Sequence, residues 1–298
     1  MRYQFIADHK EQFRVTLMCR VLEVSCSGYY DWCGRPPSGR AVDNLALSNV
    51  LRVAFEANRK TYGSPRLCDE VRELGYTCSE NRVARLMRAA DLKARTARRF
   101  KASTDSDHDL PIAANLLNRE FEVEAPNLVW AGDITYVWTA QGWLYLAIVL
   151  DLYSRQVVGW ALSHSLQAEI VVKALEMGLK CRAGEDLRGL MFHSDRGSQY
   201  ASEEFRKVAA GNDLTLSMSR RGNCWDNAPS ESFFSTLKTE LIHRQTYRTV
   251  EQARLAIFEY IEVFYNRKRR HSKLGNISPV EYERRYEEER RQPMRLAA

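Results

Sequence analysis

The sequence predicts an α/β domain preceded by an all-helical domain, and two features of the chain support this division. Between residues 123 and 285, short apolar runs alternate with stretches of helical periodicity, and the first three runs follow one another without an intervening helix. Between residues 43 and 101, apolar residues recur only at helical spacing. We therefore expect an N-terminal helical domain followed by a domain built on one sheet.

Composition narrows the class of protein. At 298 residues the chain is long enough for two domains, and its net charge of +6 weakly favours a polyanionic partner. The seven cysteines form no CxxC pair, which indicates a reducing cytoplasm. The longest apolar run, Trp143 to Leu150, is too short to span a bilayer, and the N-terminus lacks the apolar stretch of a signal peptide. We expect no membrane partner.

Residues 1–42 are predicted to form a short helical lead-in followed by a break. Apolar residues recur there at helical spacing, at Phe13, Leu17, Val21 and Leu22. The Gly- and Pro-containing stretch SGYYDWCGRPPSGR then ends the helix. No residue in this segment suggests chemistry, and packing is the favoured role of its aromatic side chains.

Residues 43–101 are predicted to form three helices. The first carries apolar residues from Leu47 to Phe55. The second has Ser64 as N-cap, Pro65 at its first position and a stop at Gly75. The third starts after Ser79. Two short helices joined by a Gly-containing turn suit a helix-turn-helix-like DNA-binding domain, with the third helix as the recognition helix.

The charge of the third helix and its continuation supports DNA binding. Residues 82–101 carry eight basic side chains and one acid, a net +7 that exceeds the charge of the whole chain. A solvated helix face would mix both signs, whereas a basic run neutralises phosphates. The arginines assigned to DNA binding here are Arg82, Arg85, Arg88, Arg95, Arg98 and Arg99.

Residues 102–122 begin with the polar stretch ASTDSDHDLP and are predicted to be a linker, while residues 286–298 are a charged C-terminal tail. Between them the predicted order is strands at 128–138, 143–153 and 156–162, a helix at 168–181, a strand ending at Asp195, a helix capped by Ser202, a strand at 214–219, a helix bearing Glu231, and a helix opened by a Thr249-x-x-Gln252 capping box. This order gives an α/β sheet of ribonuclease-H type.

Three carboxylates on these elements are the candidate catalytic and metal-binding residues. Asp133 lies within the first strand, where an unpaired carboxylate is costly unless a cation or a donor compensates it. Asp195 ends a strand, where α/β sheets place ligands, and Glu231 lies in the first turn of a helix. Three hard oxygen donors suit Mg²⁺ or Mn²⁺. For Asp133 and Glu231, a structural hydrogen bond or an ordinary helix-terminal acid is the alternative, and Asp151 and Asp226 are competing candidates.

Further basic residues extend the predicted DNA-binding set. Lys238 lies about two helical turns after Glu231 and projects from the same face, where it can meet a phosphate; an ordinary surface lysine is the alternative. The other residues assigned to DNA are Arg220, Arg221, Lys268, Arg269 and Arg270. His193 is predicted either to orient or protonate groups beside Asp195 or to pack.

The contexts of the three acids resemble a known triad. WAGDITYV, HSDRGSQY and APSESFFSTLK, with 35 residues between Asp195 and Glu231, are similar to the catalytic motifs of the DDE recombinases and the retroviral integrase core. CRVLEVSCSGYYDW, YGSPRL, DLYSRQVVGW, CWDNAPSESFFSTLK and YNRKRRHSKLGNISPVEY resemble the downstream-frame (OrfB) transposase of a family of bacterial insertion sequences. The resemblance runs from about residue 15 to about residue 285. The HHCC zinc motif of retroviral integrases and a leucine zipper are missing.

This resemblance implies a function. Two Mg²⁺ or Mn²⁺ ions held by Asp133, Asp195 and Glu231 would support an attack by water that frees a 3′-OH at the element end, and then an attack by that hydroxyl on another phosphodiester. The implied partners are double-stranded DNA of terminal inverted repeats and target, further copies of the chain on DNA, and an upstream-frame helix-turn-helix/leucine-zipper protein or a frameshift fusion with it. The implied location is the bacterial cytoplasm, at the nucleoid.

Two alternatives stay open at this point. One is a DNA-binding regulator or a domesticated non-catalytic scaffold derived from a transposase, which the intact triad and Lys238 disfavour. The other is a hydrolytic ribonuclease, which the DNA-binding domain disfavours.

Overall fold

The computed structural model describes residues 1–94, 110–221 and 224–296. The predicted DNA contacts Arg95, Arg98 and Arg99 lie outside these ranges and stay predictions. Within the described ranges, no helix combines the length and the apolar character needed to cross a membrane.

Three short helices form a small unit at the N-terminus: α1 (Arg2–His9), α2 (Val15–Val21) and α3 (Cys26–Gly34). Its buried residues are Ile6, Met18, Cys19 and Tyr29. The structure is helical here, but the stretch SGYYDWCG, which was expected to end the helix, is part of α3. In addition, α2 turns a different face inward from the one its spacing suggested. Leu17 and Val21 are 50% and 71% exposed because the short α2 packs through its Met18–Cys19 side.

The next three helices pack together as predicted: α4 (Gly39–Ala57), α5 (Ser64–Glu73) and α6 (Glu80–Ala89). The Ser79 hydroxyl caps α6 by accepting a hydrogen bond from the Arg82 backbone N–H at 3.3 Å. The predicted cap of α5 is wrong by one residue, since Gly63 is the N-cap and Ser64 is already helical. Leu51, Val71 and Val83 are fully buried where the three helices meet.

Within the described ranges, five strands form one mixed sheet in the order β3-β2-β1-β4-β5. They are β1 (Val129–Thr139), β2 (Gly142–Asp151), β3 (Val157–Ser163), β4 (Met191–Ser194) and β5 (Thr215–Met218). The first three pair antiparallel, whereas β4 pairs parallel with both β1 and β5. Every predicted strand is present, with ends displaced by at most two residues. This sheet order and its crossovers match the predicted ribonuclease-H type.

Helices cover both faces of the sheet. They are α7 (Ala168–Cys181), α8 (Ser198–Ala201), α9 (Glu203–Gly211), α10 (Ala228–Glu240), α11 (Val250–Phe258), which continues as a π-helix over Glu259–Tyr265, and α12 (Pro279–Leu296). The predicted capping box opens α11, with Gln252 N–H donating to the Thr249 hydroxyl at 3.2 Å. Close packing of α7 on β3 requires Gly159, because a Cβ there would lie 2.2 Å from the Ala174 carbonyl oxygen.

Alternation along β1 divides the core into two layers. Ala131 and Val137 face a layer that includes Phe233 and Leu237 of α10. Trp130 faces the opposite layer, which α7 and the residues around β4 complete. The sheet is therefore buried on both faces along most of its length, and the candidate carboxylates emerge from its β1–β4 side.

The structure corrects two predicted boundaries. Residues 110–122, expected to belong to a linker, pack on the core: Leu117 is 4% exposed, and the Ser217 hydroxyl accepts hydrogen bonds from the Leu116 and Leu117 N–H groups. Likewise, α12 runs through the expected start of the C-terminal tail at residue 286. The helix is stabilised there by spaced ion pairs such as Arg284 with Glu281 and Glu288.

Candidate active site

Asp133 occupies the middle of β1, beside a close backbone contact. Its Oδ1 accepts a hydrogen bond from the Ile134 N–H at 2.7 Å, which fixes the carboxylate. The preceding residue must be glycine, because a Cβ on Gly132 would lie 2.5 Å from the Phe192 ring. Burial, together with the negative charges of Asp195 and Glu231, raises the pKa of Asp133 well above its ordinary value. The three predicted acids are therefore electrostatic neighbours.

Asp195 follows the last residue of β4. The parallel register pairs His193 with Ala131, so two residues further along both strands Asp195 comes level with Asp133. The Asp195 Oδ1 accepts the Gly197 N–H at 2.9 Å, which holds the carboxylate at the strand end. The strand pairing thus brings together two acids that lie far apart in the sequence.

Glu231 lies in the first turn of α10, as predicted, and its side chain is exposed. The residues around it anchor the helix, since Ser230 is fully buried and Phe233 is 2% exposed. Because α10 packs on the same face of β1 that carries Asp133, the charge of Glu231 in its N-terminal turn acts on the Asp133 carboxylate.

The carboxylates of Asp133, Asp195 and Glu231 suit a hard divalent cation, but they do not form a closed coordination shell. Across residues 1–94, 110–221 and 224–296, no three His, Cys, Asp or Glu side chains are close enough together to hold a metal ion. Like charges on neighbouring carboxylates oppose their close approach when no cation lies between them. The raised pKa of Asp133 is the corresponding electrostatic signature, because a buried carboxylate beside other acids favours its neutral form.

Lys238 lies on α10 near both Asp133 and an exposed tyrosine. Its Nζ is 5.0 Å from the centre of the Tyr136 ring, and its positive charge opposes the rise in the pKa of Asp133. Burial lowers the pKa of Lys238 itself, while Asp133 acts in the opposite direction. Tyr136 was not among the residues predicted from the sequence. Strand alternation places its side chain on the face of β1 opposite Asp133.

The two competing aspartates have structural roles. The Asp151 carboxylate accepts backbone N–H bonds from Asn127, Tyr153 and Ser154, and so holds the turn after β2. Asp226 is 1% exposed and accepts from three side chains, those of Asn115, Arg119 and Arg220. Arg119 was not predicted to have a role, because it lies in the segment that was expected to be a linker.

His193 is a packing residue. It is 1% exposed, and its two ring nitrogens contact the Ser217 and Ser219 hydroxyls at 2.9 and 3.3 Å. Burial lowers the pKa of His193 to about 4, although the Asp226 backbone beside it acts in the opposite direction. Burial disfavours the protonated ring, and the two serine contacts favour packing over a role as proton donor beside Asp195.

The predicted DNA-binding residues fall into two groups. Arg269 and Arg270 are 6% and 7% exposed, which disfavours their assignment to DNA. Arg269 pairs with the buried Glu240, whereas Arg270 pairs with the more exposed Glu70 and Glu73. Arg220 is engaged by the buried Asp226, and Arg82 donates to Asn44 Oδ1 at 2.9 Å, which ties α6 to α4. The predicted residues that lie on the exposed surface are Arg85, Arg88, Arg220, Arg221 and Lys268.

Known protein families match most of the chain. An integrase core domain family matches residues 123–224, and a second integrase core domain family matches residues 231–286. An HTH-like domain family matches residues 42–100, the region of α4 to α6.

Relatives extend over nearly the whole length. The uncharacterized 31 kDa protein of insertion element IS600 from Shigella sonnei is 45% identical over 269 residues, covering 90% of this chain and 98% of that protein. Transposase InsF for insertion sequence IS3A of Escherichia coli (strain K12) is 42% identical over 285 residues, covering 95% and 98%. Among solved structures, the catalytic core domain of BIV integrase is 20% identical with a TM-score of 0.41, covering 55% of this chain and 98% of that chain.

Proposed function

The chain belongs to the family of insertion-sequence transposases with an integrase core that includes InsF of IS3, and from this premise we propose how it cuts and joins DNA. As a DNA transposase it acts on phosphodiester bonds at the ends of a mobile element. Asp133, Asp195 and Glu231 are its catalytic, metal-binding acids. The observation that carries this assignment is the geometry of three elements: the parallel β1–β4 pairing leads towards Asp133 and Asp195, and α10, which bears Glu231, packs on the same face of β1.

The three carboxylates would hold Mg²⁺ or Mn²⁺, two ions in each active site. Bound there, such ions supply Lewis-acid stabilisation of the attacking and leaving oxygens of an in-line displacement. The chain's own residues orient the site, since the Ile134 N–H holds one oxygen of Asp133 and the Gly197 N–H holds one oxygen of Asp195. Lys238, whose charge acts on Asp133, would bind a phosphate beside it.

The reaction we propose has two steps. Water attacks the phosphorus at the element end and breaks its bond to the 3′ oxygen, which leaves with a proton as a free 3′-OH. That hydroxyl then attacks a target phosphodiester, forming a new bond to phosphorus and releasing the target's own 3′ oxygen. Both steps use an oxygen nucleophile from water or DNA, so the chemistry requires no nucleophilic side chain.

The proposed partners follow from the domain order. Exposed Arg85 and Arg88 on α6, with Arg95, Arg98 and Arg99 beyond it, would bind the terminal inverted repeats, and Arg221 and Lys268 would add contacts near the core. Further copies of the chain on DNA, and an upstream-frame protein or fusion, complete the proposal. Its place is the bacterial cytoplasm at the nucleoid. The regulator or scaffold alternative is not favoured, because the relatives include named transposases and every triad position holds an acid.

Single changes in the triad test the function. Asp133→Asn, Asp195→Asn and Glu231→Gln each remove a negative charge with little change in volume. Each should abolish Mg²⁺-dependent cleavage and joining of labelled element-end duplexes, a loss of at least about a thousandfold, while DNA binding stays near wild type. The exposed Asp213→Asn variant is the matched control and should retain activity. Near-normal cleavage by any triad variant would remove that residue from the active site.

A further inference from the structure

Three aromatic side chains remain exposed on one face of the β1–β2 hairpin. Tyr136, Trp138 and Trp143 are 57%, 55% and 47% exposed, and we call them the aromatic platform. The antiparallel register pairs Trp138 directly with Trp143, and the ring centres lie 4.8 Å apart for that pair and 5.1 Å apart for Tyr136 and Trp143. A contiguous exposed patch of large aromatic rings indicates a binding surface.

The platform begins at the edge of the active site. Tyr136 follows Asp133 by three residues, which is about 10 Å along an extended strand and places the two side chains on opposite faces of β1. Lys238 links the two, since its Nζ lies over the Tyr136 ring while its charge acts on the Asp133 carboxylate. In the described structure, β4 pairs with β1 only over Val129–Ala131, so the platform extends beyond the end of that pairing.

The hairpin that carries the platform is held in a fixed conformation. The Ala140 N–H donates to the Tyr247 carbonyl at 2.9 Å, and the Val250 N–H donates to Gln141 Oε1 at 2.9 Å. Within the turn, the Thr139 hydroxyl donates to the Gly142 carbonyl at 2.8 Å. The rings are therefore presented by a strand pair and a braced turn, so ordering them on binding carries little entropic cost.

We propose that the aromatic platform stacks unpaired bases of a DNA strand whose phosphates enter the active site. This inference rests on the proposed function and names the part of the substrate that this surface takes. Stacking on aromatic rings tolerates any base, because every base has a π-face. Lys238, which lies over the Tyr136 ring and whose charge acts on Asp133, supplies a positive charge between the platform and the carboxylates, and this charge favours a polyanion over an apolar protein surface.

A binding measurement tests the platform without requiring catalysis. In the Glu231→Gln background, fluorescence anisotropy would compare a labelled blunt duplex with the same duplex carrying an unpaired oligothymidine tail. The protein should prefer the tailed duplex, and Trp138→Leu with Trp143→Leu should weaken tailed-duplex binding by at least about fivefold while blunt-duplex binding stays constant. Trp138→Tyr with Trp143→Tyr should keep the preference, as should the control Phe258→Leu, which changes an exposed ring on α11.

Photocrosslinking gives a second readout. A 5-iodouracil in the tail should crosslink to Trp138 or Trp143, as identified by mass spectrometry of the labelled peptide. The proposal is overturned if the Leu double variant keeps the wild-type preference, if it loses both substrates equally, or if it changes only the oligomeric state measured by gel filtration. Failure of the proposed function is seen separately, as absence of Mg²⁺-dependent cleavage by the chain with Glu231 intact.

Discussion

At the scale of single residues, the site consists of charged groups whose state depends on burial. Asp133 and His193 lie on neighbouring strands, and burial shifts both pKa values towards the neutral forms. Their roles differ because their neighbours differ. Asp133 faces two further acids, while His193 is enclosed by two serine hydroxyls that can satisfy a neutral ring.

Acid should destabilise the fold through His193. Its pKa is about 4 in the folded chain against an ordinary value of 6.5, so between these values the unfolded chain binds a proton that the folded chain does not. Its contribution to stability is therefore fully present above about pH 6.5 and is lost as the pH falls towards 4, by up to about 3 kcal/mol. His193→Gln should flatten this part of the pH dependence of the free energy of unfolding, measured with urea.

The exposed His164→Gln variant is the control and should keep the wild-type slope between pH 6.5 and 4. The same slope in His193→Gln would show that this ring is not the titrating group.

At the scale of secondary-structure elements, the ion pairs of two buried arginines hold α10 and the helical domain to the segment after the π-helix. Arg269 donates to Glu240 at the end of α10, with Nη2 2.7 Å from Oε1, and the Tyr260 hydroxyl donates to the same carboxylate at 2.8 Å. Arg270 reaches α5, where it pairs with Glu70 and Glu73. One short segment therefore contacts both the helix bearing Glu231 and the helix next to the proposed recognition helix.

Removing one partner of the Arg269–Glu240 pair should cost much more than removing an exposed pair. Arg269→Met leaves the Glu240 carboxylate buried without its cation, and we expect a loss of about 3–5 kcal/mol in the free energy of urea unfolding. Adding Glu240→Leu should restore much of that loss, because the uncompensated charge is removed. The control Arg284→Ala breaks exposed pairs on α12 and should cost less than about 1 kcal/mol. A small effect of Arg269→Met would contradict the anchoring role.

At the scale of the whole molecule, the sequence predicted the strands and helix caps that depend on local patterns of residues. Strand alternation and apolar runs located all five strands of the described sheet, and local capping identified Ser79, Ser202 and Thr249. Pairings between distant residues were not predictable. Arg269 and Arg270 looked like a DNA-binding run because their partners lie 29 residues or about 200 residues away in the sequence. The aromatic platform was not predicted for the same reason, since its proposed binding role depends on the position of Lys238, which is distant in the sequence.

The domain arrangement predicts that substitutions in the helical domain change DNA affinity, whereas substitutions in the triad change catalysis. Arg85→Ala with Arg88→Ala should weaken DNA binding and lower the slope of log affinity against log salt by roughly 0.9 for each phosphate that the protein no longer neutralises. Replacing Arg95, Arg98 and Arg99 with Ala should act in the same direction. Titrations at several salt concentrations measure the slope, with Arg254→Ala on α11 as the control. An unchanged slope would mean that this basic run is only a solvated face.

The central claim is that three acids from β1, the end of β4 and the start of α10 are collected into one metal site. Calorimetric titration of Mn²⁺ into the DNA-bound protein tests it most directly. Wild type should bind the ion, and Asp133→Asn, Asp195→Asn and Glu231→Gln should each weaken binding at least about tenfold, because each removes a charged oxygen ligand. Wild-type Mn²⁺ affinity in any one of the three variants would contradict a shared site.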